Sequence, residues 1–363
     1  MNIIKPKTAM KKGAVFTDIH WGKKANSVTH NQDCTNYVDW FCKKVRSDPS
    51  INYIAFLGDW NENRSALNIA TLKASYYGAK KLNELGLPIY FVVGNHDLYY
   101  RNSREIHSVV PFNEFSNFVV IDELTRVGDV LFCPYLFHDE YPMLKKHLDV
   151  PIWMGHFEFR GFVVTGYSIT MPTGPDANDY VGPKYIISGH FHKRQAHNQV
   201  VYIGNTFPMD FGDAGDGERG MMIYDHVNDE MIFENWDDCP RYIKTTLSEI
   251  LETSTNKEKI LVPNARVKCI VDIPITFEES TYLHQKFLDN YNLREFSMEE
   301  APEIRTALTE TETEIDWDIT ELTNVNDLVL RMLNDIESEH IDNELLIKLY
   351  QETKKSNQKI PQK

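Results

Sequence analysis

The chain has 363 residues, 42% of them hydrophobic and 25% charged, with a formal net charge of −15 at pH 7. Such a composition fits a globular protein with one large domain and one or two small ones, and it excludes nucleic-acid affinity driven by bulk positive charge, so any DNA binding must rely on a local basic patch, bound metals or a partner subunit. Cys34, Cys42, Cys133, Cys239 and Cys269 form no CxxC pair and no apolar run of membrane-spanning length occurs, which argues against a zinc knuckle, a disulfide framework or a membrane span and makes a reducing, cytoplasmic setting the simpler expectation.

From residue 14 to about 225 one unit recurs: a short apolar run, rich in β-branched and aromatic residues, that ends abruptly in Gly, Asp, Asn or His. The runs are 14–17, 53–57, 89–93, 130–132, 152–154 and 185–187, followed by 200–203 and 221–224. Continuous apolar runs of this length fit strands buried on both faces. Segments 36–45 and 66–85 between the early runs have helical spacing and good helix formers. The alternation predicts an α/β layered sheet whose polar residues gather at the strand ends.

Around Cys239 and Pro240 the pattern changes. Residues 266–273 read as a strand, 278–291 as a helix and 293–298 as a second strand, which makes a small α+β unit. Residues 299–318 carry eight acidic side chains and one basic one, and read as a solvated linker. Two amphipathic helices follow, at 325–336 and 343–351. They either fold back on the cap or dock on another chain, since the same pattern serves both.

Five short clusters carry the chemistry, each at the C-terminal end of an expected strand: Asp18-Ile19-His20, Gly58-Asp59, Gly94-Asn95-His96-Asp97, Gly155-His156 and Gly189-His190-Phe191-His192. In an extended segment the side chains at i and i+2 point the same way, so Asp18 with His20, and His190 with His192, can grip one ion together. The glycines permit close approach and unusual turns. Carboxylate, imidazole and amide oxygen form a mixed donor set that suits Mn²⁺, Zn²⁺ or Fe²⁺ better than Ca²⁺. Seven donors are too many for one tetrahedral site and about right for two ions that share a carboxylate. One Asp-x-His alone carries little weight; five clusters in order carry the argument. The other histidines (His30, His107, His138, His147, His197, His226, His284 and His340) lack this context and read as surface or core residues, with His197 the nearest exception.

This series of motifs resembles the calcineurin-like metallophosphoesterase superfamily and, within it, the DNA repair nucleases of the SbcD type, called meiotic recombination eleven in eukaryotes. Thr17-Asp18-Ile19-His20-Trp21-Gly22 is similar to that family's Ser-Asp-x-His-Leu-Gly opening. Residues 155–162, Ser188 to His192, and Tyr202-Ile203-Gly204-Asn205-Thr206 resemble the recombination nuclease subunits of T-even bacteriophages. The likeness covers roughly residues 14–225; beyond that only the layout agrees.

The resemblance implies a two-sheet sandwich flanked by helices: a nuclease domain at 1–240, a DNA-binding cap at 241–298, the acidic linker, and a helical segment at 319–355 that grips an SMC-like ABC ATPase of the SbcC type. It implies two divalent cations, Mn²⁺ first with Mg²⁺ or Fe²⁺ as alternatives. One would be held by Asp18, His20, Asp59 and His192, the other by Asp59, Asn95, His156 and His190, with Asp59 bridging. By the same resemblance His96 is no ligand but assists the leaving oxygen, and Asp97 orients His96. The implied activity is hydrolysis of DNA phosphodiesters by a homodimeric nuclease, in DNA end processing, recombination and repair. The dimer would form through 66–85 and the residues after Asp97. Arg64, Arg101, Lys193 and Arg194, with Lys23, Lys24 and Arg104 nearby, are candidates for backbone contacts to DNA. One departure stands out: the family's second histidine, three residues after the bridging aspartate, is Glu62 here. A small-molecule phosphoesterase of the same superfamily, or a non-catalytic scaffold for the ATPase, are the competing expectations. All seven donors and His96 are present, which argues against the scaffold.

Overall fold

A computed structural model describes residues 2–6, 8–164, 169–252 and 260–300, with helical backbone at 347–348 and 350–351. The chain divides into two compact units, Met1–Ala301 and Pro302–Lys363. The second falls almost wholly outside the described residues, and with it the expected helix at 325–336, most of the acidic linker, and the expected helix at 343–351 apart from the helical residues 347–348 and 350–351.

In chain order the larger part of the first unit carries strands β1 (Asn2–Ile4), β2 (Lys12–Phe16), β3 (Tyr53–Phe56), β4 (Ile89–Val92), β5 (Phe118–Ile121), β6 (Thr125–Val127), β7 (Val130–Cys133), β8 (Ile152–Gly155), β9 (Tyr185–Ser188), β10 (Gln195–His197), β11 (Val200–Tyr202), β12 (Gly220–Asp225) and β13 (Glu230–Asn235). Helices α1 (Val28–Ser47) and α2 (Ile69–Asn83) lie between the early strands. Each helix starts on a side-chain cap, Ser27 accepting from His30 N and Asn68 from Thr71 N.

Two sheets result: six strands in the order β13-β12-β2-β3-β4-β5, and seven in the order β1-β6-β7-β8-β9-β11-β10. Alternation along the strands explains why they stack. Ala14, Phe16, Ile54 and Phe56 point outward to a core shared with Tyr37, Phe41 and Val45 of α1 and Leu82 of α2. Their neighbours Val15, Ala55 and Leu57 point inward and meet Phe132, Met154 and Ile187 of the other sheet. Leu131 and Trp153 face away from that seam, into a third core with Tyr141, Phe157, Phe159 and Tyr180. Both faces of the central strands of both sheets are therefore covered, as the apolar runs require. The sandwich matches the expected class, and among the described residues α-helices flank only its six-stranded sheet. The outer face of the seven-stranded sheet is covered by 3₁₀ turns and loops.

The remainder of the first unit is a small cap: β14 (Tyr242–Thr246), α3 (Leu247–Glu252), β15 (Arg266–Val271), α4 (Phe277–Tyr291) and β16 (Glu295–Glu300), its three strands all parallel. Thr276 and Glu279 form a capping box at the start of α4. Glu299 and Glu300, expected in the linker, extend β16 instead and pair with Ile270 and Val271. The cap touches the sandwich through Arg294, whose Nη1 donates to both carboxylate oxygens of Asp33 on α1 (2.7 and 2.8 Å), and through Lys24, whose Nζ donates to Tyr242 Oη. All five cysteines are buried and free. Among the described residues no helix is long and apolar enough to cross a membrane.

Candidate metal centre

The C-terminal tips of β2, β3 and β4 in one sheet, and of β8 and β9 in the other, open on a common cleft. Asp18 and His20 follow β2, Asp59 follows β3, Asn95 follows β4, His156 follows β8, and His190 and His192 follow β9. The extended geometry expected for the Asp-x-His and His-x-His pairs is not what aims them. Asp18 (φ 52), His20 (φ 52), Asp59 (φ 62) and His190 (φ 89) all sit in left-handed backbone. Strands β2, β3 and β9 turn sharply at their tips and throw these donors into the cleft. Such conformations cost about 1–3 kcal/mol each in non-glycine residues and persist where the surroundings enforce them. Gly94 makes this possible for Asp59, since any Cβ there would overlap the Asp59 backbone nitrogen and Oδ1.

The donors fall into two groups. In the first, His20 Nε2 and His192 Nε2 face each other at 3.1 Å, with Asp18 Oδ1 at 3.7 Å from one and 3.9 Å from the other. In the second, Asn95 Oδ1 lies 2.9 Å from His156 Nε2 and 3.0 Å from His190 Nδ1. Asp59 Oδ2 stands between them, 3.7 Å from His20 Nε2 and 3.4 Å from His156 Nε2. Asp18 Oδ1 is fully buried and has no hydrogen-bond partner, which is costly for a carboxylate oxygen unless a cation answers it. Two imidazole nitrogens converging on one point next to that oxygen are the arrangement a divalent cation would satisfy. The residues present therefore fit a pair of divalent metal ions.

The supporting contacts orient the rings. His156 Nδ1 donates to Leu57 O (2.7 Å), which leaves Nε2 for the cleft. His190 N donates to Asp18 Oδ2 (3.0 Å). Burial lowers the affinity of His20 for a proton, but contacts with Asp18 and Glu62 outweigh it and lift its pKa to about 10. Burial likewise works against His156, and Asp59 overrides it to raise the pKa to about 9. Burial and the neighbouring His20 push His192 down to about 3.

His96 is one-third exposed and lies edge-on to the His20 ring, 4.9 Å away. The expected Asp97–His96 pair is not formed. His96 Nδ1 donates to the backbone oxygen of Glu62 (2.9 Å), while the Asp97 carboxylate accepts from the backbone nitrogens of Asp59, Trp60, Asn61 and Gly94. Asp97 thus shapes the loops that carry Asp59 and Asn95, at a distance from the chemistry. Burial and nearby Asp59 raise its pKa to about 6. Asp97→Ala would orphan those buried donors, each worth about 1–3 kcal/mol. A loss of at least about 3 kcal/mol in urea unfolding is expected, and an unchanged midpoint would contradict this role.

Two acidic residues outside the five clusters join the site. Glu62 Oε2 lies 2.8 Å from His20 Nδ1 and 3.8 Å from His96 Nδ1, with Lys23 Nζ 3.7 Å from its other oxygen. Glu158 Oε2 meets His190 Nε2 at 3.1 Å. The signal for Glu158 is its place two residues after His156; Glu62 is marked by its place three residues after Asp59, but its contact with His20, remote in sequence, is not legible there.

Of the expected DNA contacts, Arg101 is exposed, and Arg64 and Lys193 are half-buried near the cleft loops. Arg194 is committed to the protein: it packs over Phe233 at 4.2 Å and donates to Ile203 O and Asn235 Oδ1, so a phosphate contact from its fork is not supported. Arg104 is similarly engaged, paired with Glu140.

A family model described as calcineurin-like phosphoesterase matches residues 12–194, half of the chain. The chain belongs to the calcineurin-like phosphoesterase family. Members are metallophosphoesterases, and the two donor groups described above are where this member's divalent metals would sit. The chain is 27% identical over 178 residues to exonuclease subunit 1 of Enterobacteria phage T4, covering 46% of this chain and 51% of that protein. It is 26% identical over 203 residues to the uncharacterized metallophosphoesterase YhaO of Bacillus subtilis, covering 51% and 48%. The chain thus spans about half the length of the curated relatives it matches. Among solved structures, a dimetal phosphatase from Danio rerio is 10% identical with a TM-score of 0.38, covering 62% of this chain and 96% of that one.

Proposed function

We propose that this calcineurin-like phosphoesterase is a DNA nuclease subunit that hydrolyses phosphodiester bonds with two divalent cations, Mn²⁺ foremost, in DNA end processing, recombination and repair. The observation that carries the proposal is the meeting of two donor groups at Asp59 Oδ2. The likeness to a phage exonuclease subunit supports DNA as the substrate class.

When bound, the cations would supply Lewis acidity to the phosphate and make water nucleophilic near neutral pH. The rest falls to the chain. His20, His156, His190 and His192 would offer imidazole nitrogens to the cations, those of His20 and His156 once their protons are displaced, and Asp18, Asp59 and Asn95 would offer oxygens. His96, held by Glu62 O through Nδ1, keeps Nε2 available. Protonated there, it can donate to the oxygen that leaves phosphorus. Glu62, next to both His20 and His96, places a negative charge where the resembling nucleases have a histidine. Arg101, Arg64 and Lys193 are proposed to steer the DNA backbone.

The proposal extends to partners. Ile69 (86% exposed), Leu72 (53%) and Tyr76 (52%) on α2, with Tyr99 and Tyr100 after Asp97, leave an apolar face open and support a homodimer through these elements. An SMC-like ATPase is proposed to bind through 319–355, and DNA through the cap.

The test is cleavage of linear duplex, single-stranded and hairpin DNA with Mn²⁺, with and without such an ATPase, beside bis(p-nitrophenyl) phosphate. Metal-dependent cleavage of DNA is expected. Turnover of the small ester with DNA left intact would transfer the assignment to a small-molecule phosphodiesterase.

A further inference from the structure

We infer that Glu158 is a positioning residue for one of the two cations: it fixes His190 in the tautomer that presents Nδ1, rather than Nε2, to the cleft. The inference rests on the two-cation reading of the seven donors. His190 has one nitrogen on each side of its ring engaged. Nδ1 lies 3.0 Å from Asn95 Oδ1 and 3.2 Å from His156 Nε2, on the donor side. Nε2 lies 3.1 Å from Glu158 Oε2, on the other. A carboxylate can only accept, so the proton belongs on Nε2 and the lone pair on Nδ1.

His156 shows the complementary solution, Nδ1–H bound to a backbone carbonyl and Nε2 left for the cleft. Two rings in one donor group thus approach by opposite nitrogens, and what differs between them is the partner behind each ring. A carboxylate behind a ligand imidazole also raises its basicity, and removal of such a partner typically weakens metal binding by about 10–100-fold.

Glu158 is itself immobilised. Its backbone nitrogen donates to Tyr141 Oη (2.8 Å), and its other carboxylate oxygen, Oε1, meets His138 Nε2 at 3.1 Å. The side chain is mostly covered (14% exposed), whereas His138 stands largely in solvent (56%). His138 therefore closes the outer end of the pair and has no contact with the donors.

The test is a Mn²⁺ titration of the full chain, followed by the magnetic resonance signal of free Mn²⁺, with thermal midpoints and ¹⁵N histidine spectra of the same samples. Wild type is expected to bind two ions. Glu158→Ala should weaken one of them about 10–100-fold, leave the other unchanged, and replace the single His190 tautomer by a mixture. Glu158→Gln, whose amide oxygen still accepts from Nε2–H, should recover most of the loss. His138→Ala should leave both ions at wild-type affinity. Two wild-type affinities in Glu158→Ala, or equal damage to both ions in Glu158→Ala and Glu158→Gln, would overturn the positioning role while the two-cation reading stands. A wild-type chain that binds no Mn²⁺ would overturn both.

Discussion

Asp59→Asn is expected to remove divalent metal binding and phosphodiester cleavage together while the fold survives. Oδ2 of Asp59 lies close to both donor groups, so loss of its charge is felt by both. Oδ1, by contrast, accepts the His96 backbone N–H at 2.8 Å, and an asparagine oxygen can keep that bond. The loop that Asp97 organises is untouched. The change is close to isosteric in a site where Gly94 leaves no spare room. Loss of a partner behind a ligand already weakens binding about 10–100-fold, and a shared ligand should exceed that. A fall of at least about a hundredfold in Mn²⁺ affinity is therefore expected, with cleavage at background and a thermal midpoint near wild type. Cleavage at the wild-type rate by this variant would remove Asp59 from the site.

Manganese affinity should also rise steeply with pH. In the metal-free protein His20 and His156 are lifted above the ordinary imidazole value, to about 10 and about 9, because carboxylates near them outweigh burial. At neutral pH both rings therefore carry protons that a cation must displace. Each displaced proton makes affinity rise about tenfold per pH unit below the folded-state value and contributes nothing above it. The rise should continue at an even slope across about pH 6 to pH 8 and level off only as pH passes 9 to 10. His192, already lowered to about 3, adds nothing in that range. Calorimetry in two buffers of different ionisation enthalpy counts the released protons directly. An affinity flat in pH, with no proton release, would show that both rings are neutral before metal arrives.

What the sequence discloses follows the range of the interactions. The apolar runs mark the central strands because β2, β3, β4, β7, β8 and β9 are covered on both faces, and that demand is local. The donors are legible because each pair lies within one strand tip. Edge strands are less so: in Glu230–Asn235 every residue is exposed or half-buried, and its short apolar run, Met231 to Phe233, ends in none of the marker residues that follow the central strands' tips. Helix α1 begins at Val28, well before its apolar periodicity. Its first turns bury Asn31 and Asp33, polar side chains satisfied by Gly22 N and Thr71 in one case and Arg294 in the other. The role of Asp97 is equally hidden, since a carboxylate that accepts from Asp59, Trp60 and Asn61 cannot be told by sequence from one that orients its neighbour His96. Asp18 and His20 do converge, but through left-handed turns and not the extended geometry that spacing suggests.

The Asp33–Arg294 contact has a mechanical consequence. Burial raises the proton affinity of Asp33 by more than Arg294 lowers it, so its pKa in the folded chain lies above the ordinary value. Sequestering this anion against its cation is thus unfavourable on balance at neutral pH, as buried ion pairs often are. What the pair supplies is registration: it ties the cap at Arg294 Nη1 to both oxygens of one carboxylate on α1. A contact of this kind marks where the cap sits on the sandwich while adding little to how tightly it is held.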